Sequence, residues 1–257
     1  MPSTARVLLD FLARPERHRY GSHRWARADL YVPQGPGPFP VVVALHGGYW
    51  RAKYSKRTMK AACADLARRG MAAWNVEYRR IGRGQGGGWP ATLDDVAAAI
   101  DHLARLADPR LDIAGGVAAL GHSAGGQLAL WSASRADPEV PVRRVVAQAA
   151  VCNLTVAGEP AWRFLGGTPE QVPERYDFAD PMRLVPLGVP TLLVHGAEDE
   201  TVPVERSREY AAAARAAGDD VTLVEPVPGG HRIHPDPRSE AWRVAAEWLA
   251  GPVRSAA

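Results

Sequence analysis

Six short and almost wholly apolar runs, spaced by stretches of helical periodicity, constrain this chain more than any other feature of its sequence. They lie at 41–45, 71–76, 117–120, 145–151, 191–194 and 221–224. A strand with one solvated face alternates apolar and polar residues, so continuous apolar runs indicate strands covered on both faces, as in parallel sheets built from βαβ units. Between the runs, 92–107 places Leu93, Val96, Ile100, Leu103 and Ala107 on one helical face, and Thr92 with Asp95 reads as an N-terminal capping pair. Segment 237–249 repeats the pattern with Ala241, Val244, Ala245, Trp248 and Leu249. A chain of 257 residues, 46% of them hydrophobic, can bury one large core. The expected fold is α/β, a mostly parallel, doubly wound sheet flanked by helices, with residues 1–257 forming a single domain. Residues 153–187 carry several prolines and aromatics between two expected strands, and are read as a short cap insertion. Such an insertion sits above the carboxyl ends of the strands, where ligands bind in open α/β sheets.

Charge and cysteine content narrow the function classes. The formal net charge is +3, and no basic block is dense enough to follow a phosphate backbone, which argues against nucleic-acid binding. Arginine carries nearly all of the positive charge, with lysine only at 53, 56 and 60. Two cysteines, Cys63 and Cys152, do not make a disulfide framework, so a reducing, cytoplasmic setting is expected. Residues 1–23 contain Arg6, Arg14, Arg17 and Arg19 without a long apolar run, unlike a secretory leader. No stretch approaches the roughly 18 apolar residues of a membrane span. The glycine-rich stretch 82–90 lacks the strand context of a phosphate loop and reads as a flexible surface loop.

Chemistry enters at Gly121-His122-Ser123-Ala124-Gly125, a G-x-S-x-G motif directly after the run 117–120 and before the helical run 127–134. Small residues at 121 and 125 permit a sharp strand-to-helix turn that lifts a serine hydroxyl above the sheet. An alcohol is a weak nucleophile at neutral pH and needs a base, itself held by an acid. The run 191–194 is followed by His195-Gly196-Ala197-Glu198-Asp199-Glu200-Thr201-Val202-Pro203, and 221–224 by Pro228-Gly229-Gly230-His231. Ser123 is therefore the expected nucleophile, His231 the base and Asp199 the acid. Glu198 and Glu200 compete with Asp199, which would also serve as a cap for a helix at 204–217; His234 competes with His231. An oxyanion needs donors: Gly47, Gly48 or Tyr49, in His46-Gly47-Gly48-Tyr49-Trp50, and the N–H of Ala124 are the candidates. His46, His122 and His195 are read as structural hydrogen-bonding residues.

H-G-G-Y-W at 46–50, G-H-S-A-G-G at 121–126, H-G-x-x-D at 195–199 and G-H at 230–231 resemble the kynurenine formamidase (arylformamidase) branch of the α/β hydrolases, near the hormone-sensitive-lipase type esterases. The likeness runs from about residue 20 to 249. It implies an α/β-hydrolase fold and hydrolysis of a formyl amide on an aromatic amine, without metal or cofactor, by Ser123, Asp199 and His231. Arg232 departs from that branch, which often has a hydrophobic residue after the histidine, and it leaves the substrate open. General carboxylesterases and natural-product tailoring hydrolases or acyltransferases share the motif set; a non-catalytic binding protein on the same scaffold is the alternative of another class. The expected partner is a small-molecule ester or amide, with no nucleic acid and no membrane, and association as a homodimer is compatible with these features. Trp50, Trp162 and Phe164 are the candidate substrate contacts, with Tyr49, Tyr176 and Phe178 as further aromatic wall, and Arg163 or Arg183 is placed to meet a substrate carboxylate.

Overall fold

The computed structural model describes residues 14–251. The part of the N-terminal stretch at 1–13, including Arg6, lies outside the described residues. Nine strands form one sheet in the order β1-β2-β4-β3-β6-β7-β8-β9, with β5 paired to β3. They are β1 (Glu16–Arg19), β2 (Arg27–Tyr31), β3 (Phe39–Leu45), β4 (Ala72–Val76), β5 (Leu111–Asp112), β6 (Val117–His122), β7 (Val142–Gln148), β8 (Thr191–Gly196) and β9 (Val221–Val227). All pairings from β4 through β9 are parallel, while β1 and β2 join antiparallel at one edge. The six apolar runs thus form the parallel body of the sheet. The antiparallel edge carries no such signal, because β1 reads Glu-Arg-His-Arg and is largely exposed.

Among the described residues seven α-helices accompany the sheet: α1 (Lys60–Arg68), α2 (Ala91–Leu106), α3 (Ala124–Ala133), α4 (Glu159–Leu165), α5 (Pro173–Ala179), α6 (Glu205–Ala216) and α7 (Glu240–Ala250). Alternate residues of each central strand feed two separate cores. Val41, Val43 and Leu45 pack with Leu93, Ile100, Leu128 and Tyr210 of α2, α3 and α6. Val42 and Ala44 pack with Ala62, Leu66, Trp242 and Leu249 of α1 and α7. This double covering is the physical reason for continuous rather than alternating apolar runs.

Two local expectations are corrected. Thr92 and Asp95 do not cap α2, whose first turn follows Pro90. Thr92 Oγ1 instead donates to the Arg79 carbonyl at 2.6 Å and accepts from Gly88 N at 2.9 Å, while the Asp95 carboxylate takes the Arg79 main chain and guanidinium. Both residues fasten the segment after β4 and the end of the glycine-rich stretch, so 82–90 is exposed in its middle and anchored at Gly88. In α7 the core face is Ala241, Trp242, Ala245, Ala246 and Leu249, with Val244 and Trp248 at its flank. The Trp242 indole explains the shift: it is buried and donates to Asp65 at 2.7 Å.

Residues 153–187 contain α4, α5 and a short 3-10 turn, Pro181–Arg183. Asp180 holds the segment together by accepting from Leu154 N and Thr155 N, both at 2.9 Å. Gln127 of α3 donates to the Ala179 carbonyl at 2.9 Å and ties the segment to the sheet. Among the described residues, no helix is long and apolar enough to cross a membrane.

Candidate active site

Four loops leave the carboxyl ends of β3, β6, β8 and β9 and meet over one edge of the sheet. The first turn belongs to Ser123, which joins β6 to α3 with φ 56° and ψ −121°. Positive φ is costly for a residue with a side chain and recurs where a site over-determines the backbone. Its neighbours make the turn tight: a Cβ on Gly121 would collide with the carbonyl of Gly125, and one on Gly125 with the carbonyl of Leu45. The Ser123 side chain therefore rises from the start of a helix that could not approach β3 if residue 125 were larger.

Asp199 follows β8 and His231 follows β9. His231 Nδ1–H donates to Asp199 Oδ2 at 2.8 Å, which leaves the Nε2 lone pair free to accept a proton. Asp199 Oδ1 accepts from Thr201 N and Val202 N, each at 2.9 Å, so the carboxylate is oriented from both sides. The turn after β8 folds back to supply these donors, and α6 begins only at Glu205, so Asp199 is not its cap. Burial pushes the Asp199 carboxyl pKa up, but hydrogen bonds from His195, His231 and Val202 outweigh it and hold the pKa well below the ordinary value. His195 Nε2 lies 3.2 Å from Asp199 Oδ2 and 2.9 Å from the Val202 carbonyl, while its Nδ1 accepts from Ser207 Oγ at 2.8 Å. His195 thus braces the carboxylate.

His122 is a second brace. Its Nε2–H donates to the main-chain carbonyl of His231 at 2.7 Å, and the two rings lie 4.7 Å apart. Burial, with His231 beside it, pulls the His122 pKa down to about 3, so the ring is neutral at neutral pH. His234, the competitor for the base, is fully buried and has no hydrogen-bond partner for either ring nitrogen among the described residues; burial lowers its pKa to about 2. It packs between His122 and His195 and does not reach the surface of the site.

Past β3, Gly48, Tyr49 and Trp50 all have positive φ, at 117°, 55° and 54°. A side chain on Gly48 would collide with the Tyr54 ring, and one on Gly47 would meet the His122 carbonyl at 2.6 Å. Ala124 opens α3, so its N–H has no carbonyl one turn back to bind. His46 holds the loop from below: its Nε2–H donates to Glu77 at 2.9 Å, its ring stacks on Tyr78 at 4.2 Å, and the Tyr78 hydroxyl donates to the His46 carbonyl at 2.6 Å.

Gly47, Gly48, Tyr49, Ser123 and His231 line one cavity of about 390 Å³. His122 of the serine motif, with Tyr54, Thr58, Thr201, Arg232 and Pro235, completes it. Thr201 has a signal in its place beside Asp199 in the turn, and Arg232 in its place after His231; Tyr54 and Thr58 reach the site only through the tertiary path of the chain. Of the candidate substrate contacts, Trp50 is 1% exposed, donates to Gln127 at 3.2 Å and edges a neighbouring cavity. Trp162 and Phe164 line neither cavity: Phe164 is buried in a stack on Trp50 at 4.4 Å, and Trp162 is exposed on α4. Tyr176 is buried with its hydroxyl on the Gly167 carbonyl, and Phe178 packs on Trp89 and Trp131. Arg163 pairs with Glu159 and Arg183 with Asp177, both away from the cavity. Phe164 and Phe178 thus fasten the inserted segment to Trp50, Trp89 and Trp131 in the body of the domain.

Sheet order and strand-end loops define an α/β-hydrolase fold. Residues 28–213 match the BD-FAE model, and the chain belongs to this esterase family of the α/β hydrolases. It is 28% identical to the esterase LipC of Mycobacterium tuberculosis over 80% of this chain, and spans 55% of the length of that relative. A truncated carbohydrate esterase from gut microbiota superposes with a TM-score of 0.78 at 22% identity, covering 91% of this chain and 93% of that one. Esterase 2 of Thermogutta terrifontis superposes with a TM-score of 0.75 at 24% identity, covering 91% and 92%.

Proposed function

We propose that the protein is a serine esterase acting on a small carboxylic ester through an acyl-enzyme, with Ser123, His231 and Asp199 as its triad. The observation that carries this reading is the 2.8 Å bond from His231 to Asp199 in the cavity into which Ser123 is lifted by its positive-φ turn. Family membership supports ester chemistry.

The steps follow from the hydrogen bonds. His231 Nε2 takes the Ser123 Oγ proton as Oγ bonds to the substrate carbonyl carbon, and the carbonyl electron pair moves onto oxygen. The N–H of Ala124 with those of the Gly47–Gly48–Tyr49 loop receives that oxyanion. Asp199, held ionised, stabilises the imidazolium without taking its proton. The bond to the leaving oxygen then breaks, and His231 returns its proton to that oxygen. Water repeats the sequence on the acyl-enzyme and releases the acid. Residues 153–187 are proposed to act as a short cap, since Asn153, Val156, Ala157 and Pro160 edge the cavity beside the triad.

A formyl amide of an aromatic amine is the second reading, favoured by Tyr49 standing after the glycine pair of the loop. Turnover of p-nitrophenyl acetate, p-nitrophenyl butyrate and N-formyl-L-kynurenine, each with wild type and Ser123→Ala, tests both. Ester cleavage that Ser123→Ala abolishes supports the esterase; formamide cleavage of comparable kcat/KM shifts the reading to a formamidase. Turnover that survives the substitution overturns both, and a protein that turns over none of the three is a binding protein on this scaffold.

A further inference from the structure

The site has two lobes, both with mostly apolar walls, which share Tyr49 and Thr201 and differ in their polar side chains. One is the cavity of about 390 Å³ that holds Ser123 and His231, walled by the hydroxyl-bearing Tyr54, Thr58 and Thr201. The other, about 190 Å³, is edged by Trp50, Val151, Cys152, Val156 and Pro160, with Asn153 and Arg206 as its own polar side chains. Arg232 directly follows His231, is exposed, and lines the first lobe. Among the described residues no ion pair involves Arg232, and no carboxylate side chain lines that lobe. Arg206, the arginine that lines the second lobe, is already engaged with Glu209.

General-acid geometry decides which half of a substrate meets this cation. His231 must hand its proton to the departing oxygen, so the leaving group lies on the histidine side, within reach of the residue that follows it. The acyl part then turns past Tyr49 toward the second lobe. We infer that Arg232 is a specificity residue, and that the enzyme takes esters whose leaving alcohol carries an anionic group, a carboxylate or phosphate, with an apolar acyl chain opposite. The inference rests on the proposed ester hydrolysis at Ser123. It also replaces Arg163 and Arg183 as the place where a substrate anion is met. A guanidinium binds either anion in a bidentate fork, and it does so more strongly where apolar walls exclude water on one side.

The test uses 4-butyryloxybenzoate against the neutral 4-butyryloxybenzamide, with wild type, Arg232→Gln, Arg232→Glu and Ser123→Ala. The quantity read is the ratio of kcat/KM for the anionic to the neutral ester, in which differences of intrinsic reactivity cancel between variants. The ratio falls about tenfold in Arg232→Gln and further in Arg232→Glu, and the loss appears in KM. A ratio indifferent to both substitutions, while Ser123→Ala abolishes turnover, overturns the anion site and leaves the esterase intact. A ratio that responds only when the anion is moved to the acyl side, with mono-p-nitrophenyl succinate against p-nitrophenyl butyrate, overturns the placement of the leaving group. Failure of the wild type to cleave either benzoate-series ester, or cleavage that survives Ser123→Ala, removes the esterase reading and this inference with it.

Discussion

His122 Nε2 stands 2.7 Å from the main-chain carbonyl of His231, so the residue before the proposed nucleophile grips the backbone of the proposed base. His122 ends β6 and His231 lies in the loop after β9, 109 positions later, and this bond sets the register between them. His122 donates reliably because burial holds its pKa down to about 3, leaving it neutral across the working range with one N–H to give.

Replacing His122 by Phe keeps much of the ring volume and removes the donor. The His231 loop then loses a fixed point, and a misplacement on the scale of 1 Å lowers kcat by about 10- to 100-fold. KM changes less than kcat, because Phe keeps the volume of the His122 ring where it lines the cavity. His122→Gln, which can still reach with an amide N–H, recovers part of kcat. Steady-state kinetics on p-nitrophenyl butyrate, with thermal unfolding as the check on folding, reads the split; a loss confined to KM speaks against a positioning role.

The Ser123 backbone, at φ 56° and ψ −121°, carries strain of about 1–3 kcal/mol that Ala would keep and Gly would relieve. Ser123→Ala and Ser123→Gly both abolish turnover, but the glycine variant is the more stable by about 1 kcal/mol once its greater unfolded-state freedom is offset. Urea unfolding of the two variants side by side checks this. A glycine variant less stable than the alanine variant by about 0.5–1 kcal/mol would mean that the turn is unstrained.

Asp199 makes stability depend on pH in a definite direction. Its folded pKa lies below the ordinary 3.8, so the unfolded chain binds this proton more readily than the folded one. The stabilisation is fully present above about pH 4 and is lost as pH falls from there toward the lowered folded value. Asp199→Asn lacks that contribution, so the stability gap between wild type and variant is widest at neutral pH and narrows below pH 4. Activity falls by about 10^4-fold in the same variant, since the amide no longer favours the required tautomer of His231. Denaturant unfolding at a series of pH values tests the first part, and a gap that widens on acidification contradicts it.

The residues of the proposed triad stand out in the sequence because each sits within a few residues of a strand end, where local turn chemistry and chain order mark them. Gly121 and Gly125 announced the turn at Ser123, and the paired glycines before His231 did the same for its loop. The parallel strands were readable through their two-sided burial. The antiparallel edge was not, since Glu16 to Arg19 gains its place from pairing with β2 and not from an apolar face. Thr92 and Asp95 looked like caps because their partners at Gly88 and Arg79 are set by tertiary approach. Aromatic content misled for the same reason: Trp162 and Phe164 lie close in sequence, yet helical phase buries one and exposes the other. Tyr54 and Thr58 enter the cavity from a segment whose sequence carries no catalytic mark.

The most direct test of the central claim is covalent capture of the nucleophile. Diethyl p-nitrophenyl phosphate in excess should add one diethylphosphoryl group per chain, on the peptide that contains Ser123, with ester turnover lost in proportion and no addition to Ser123→Ala. Modification of a different residue, or full turnover by a fully modified protein, would contradict the assignment of Ser123 as the group that attacks the ester.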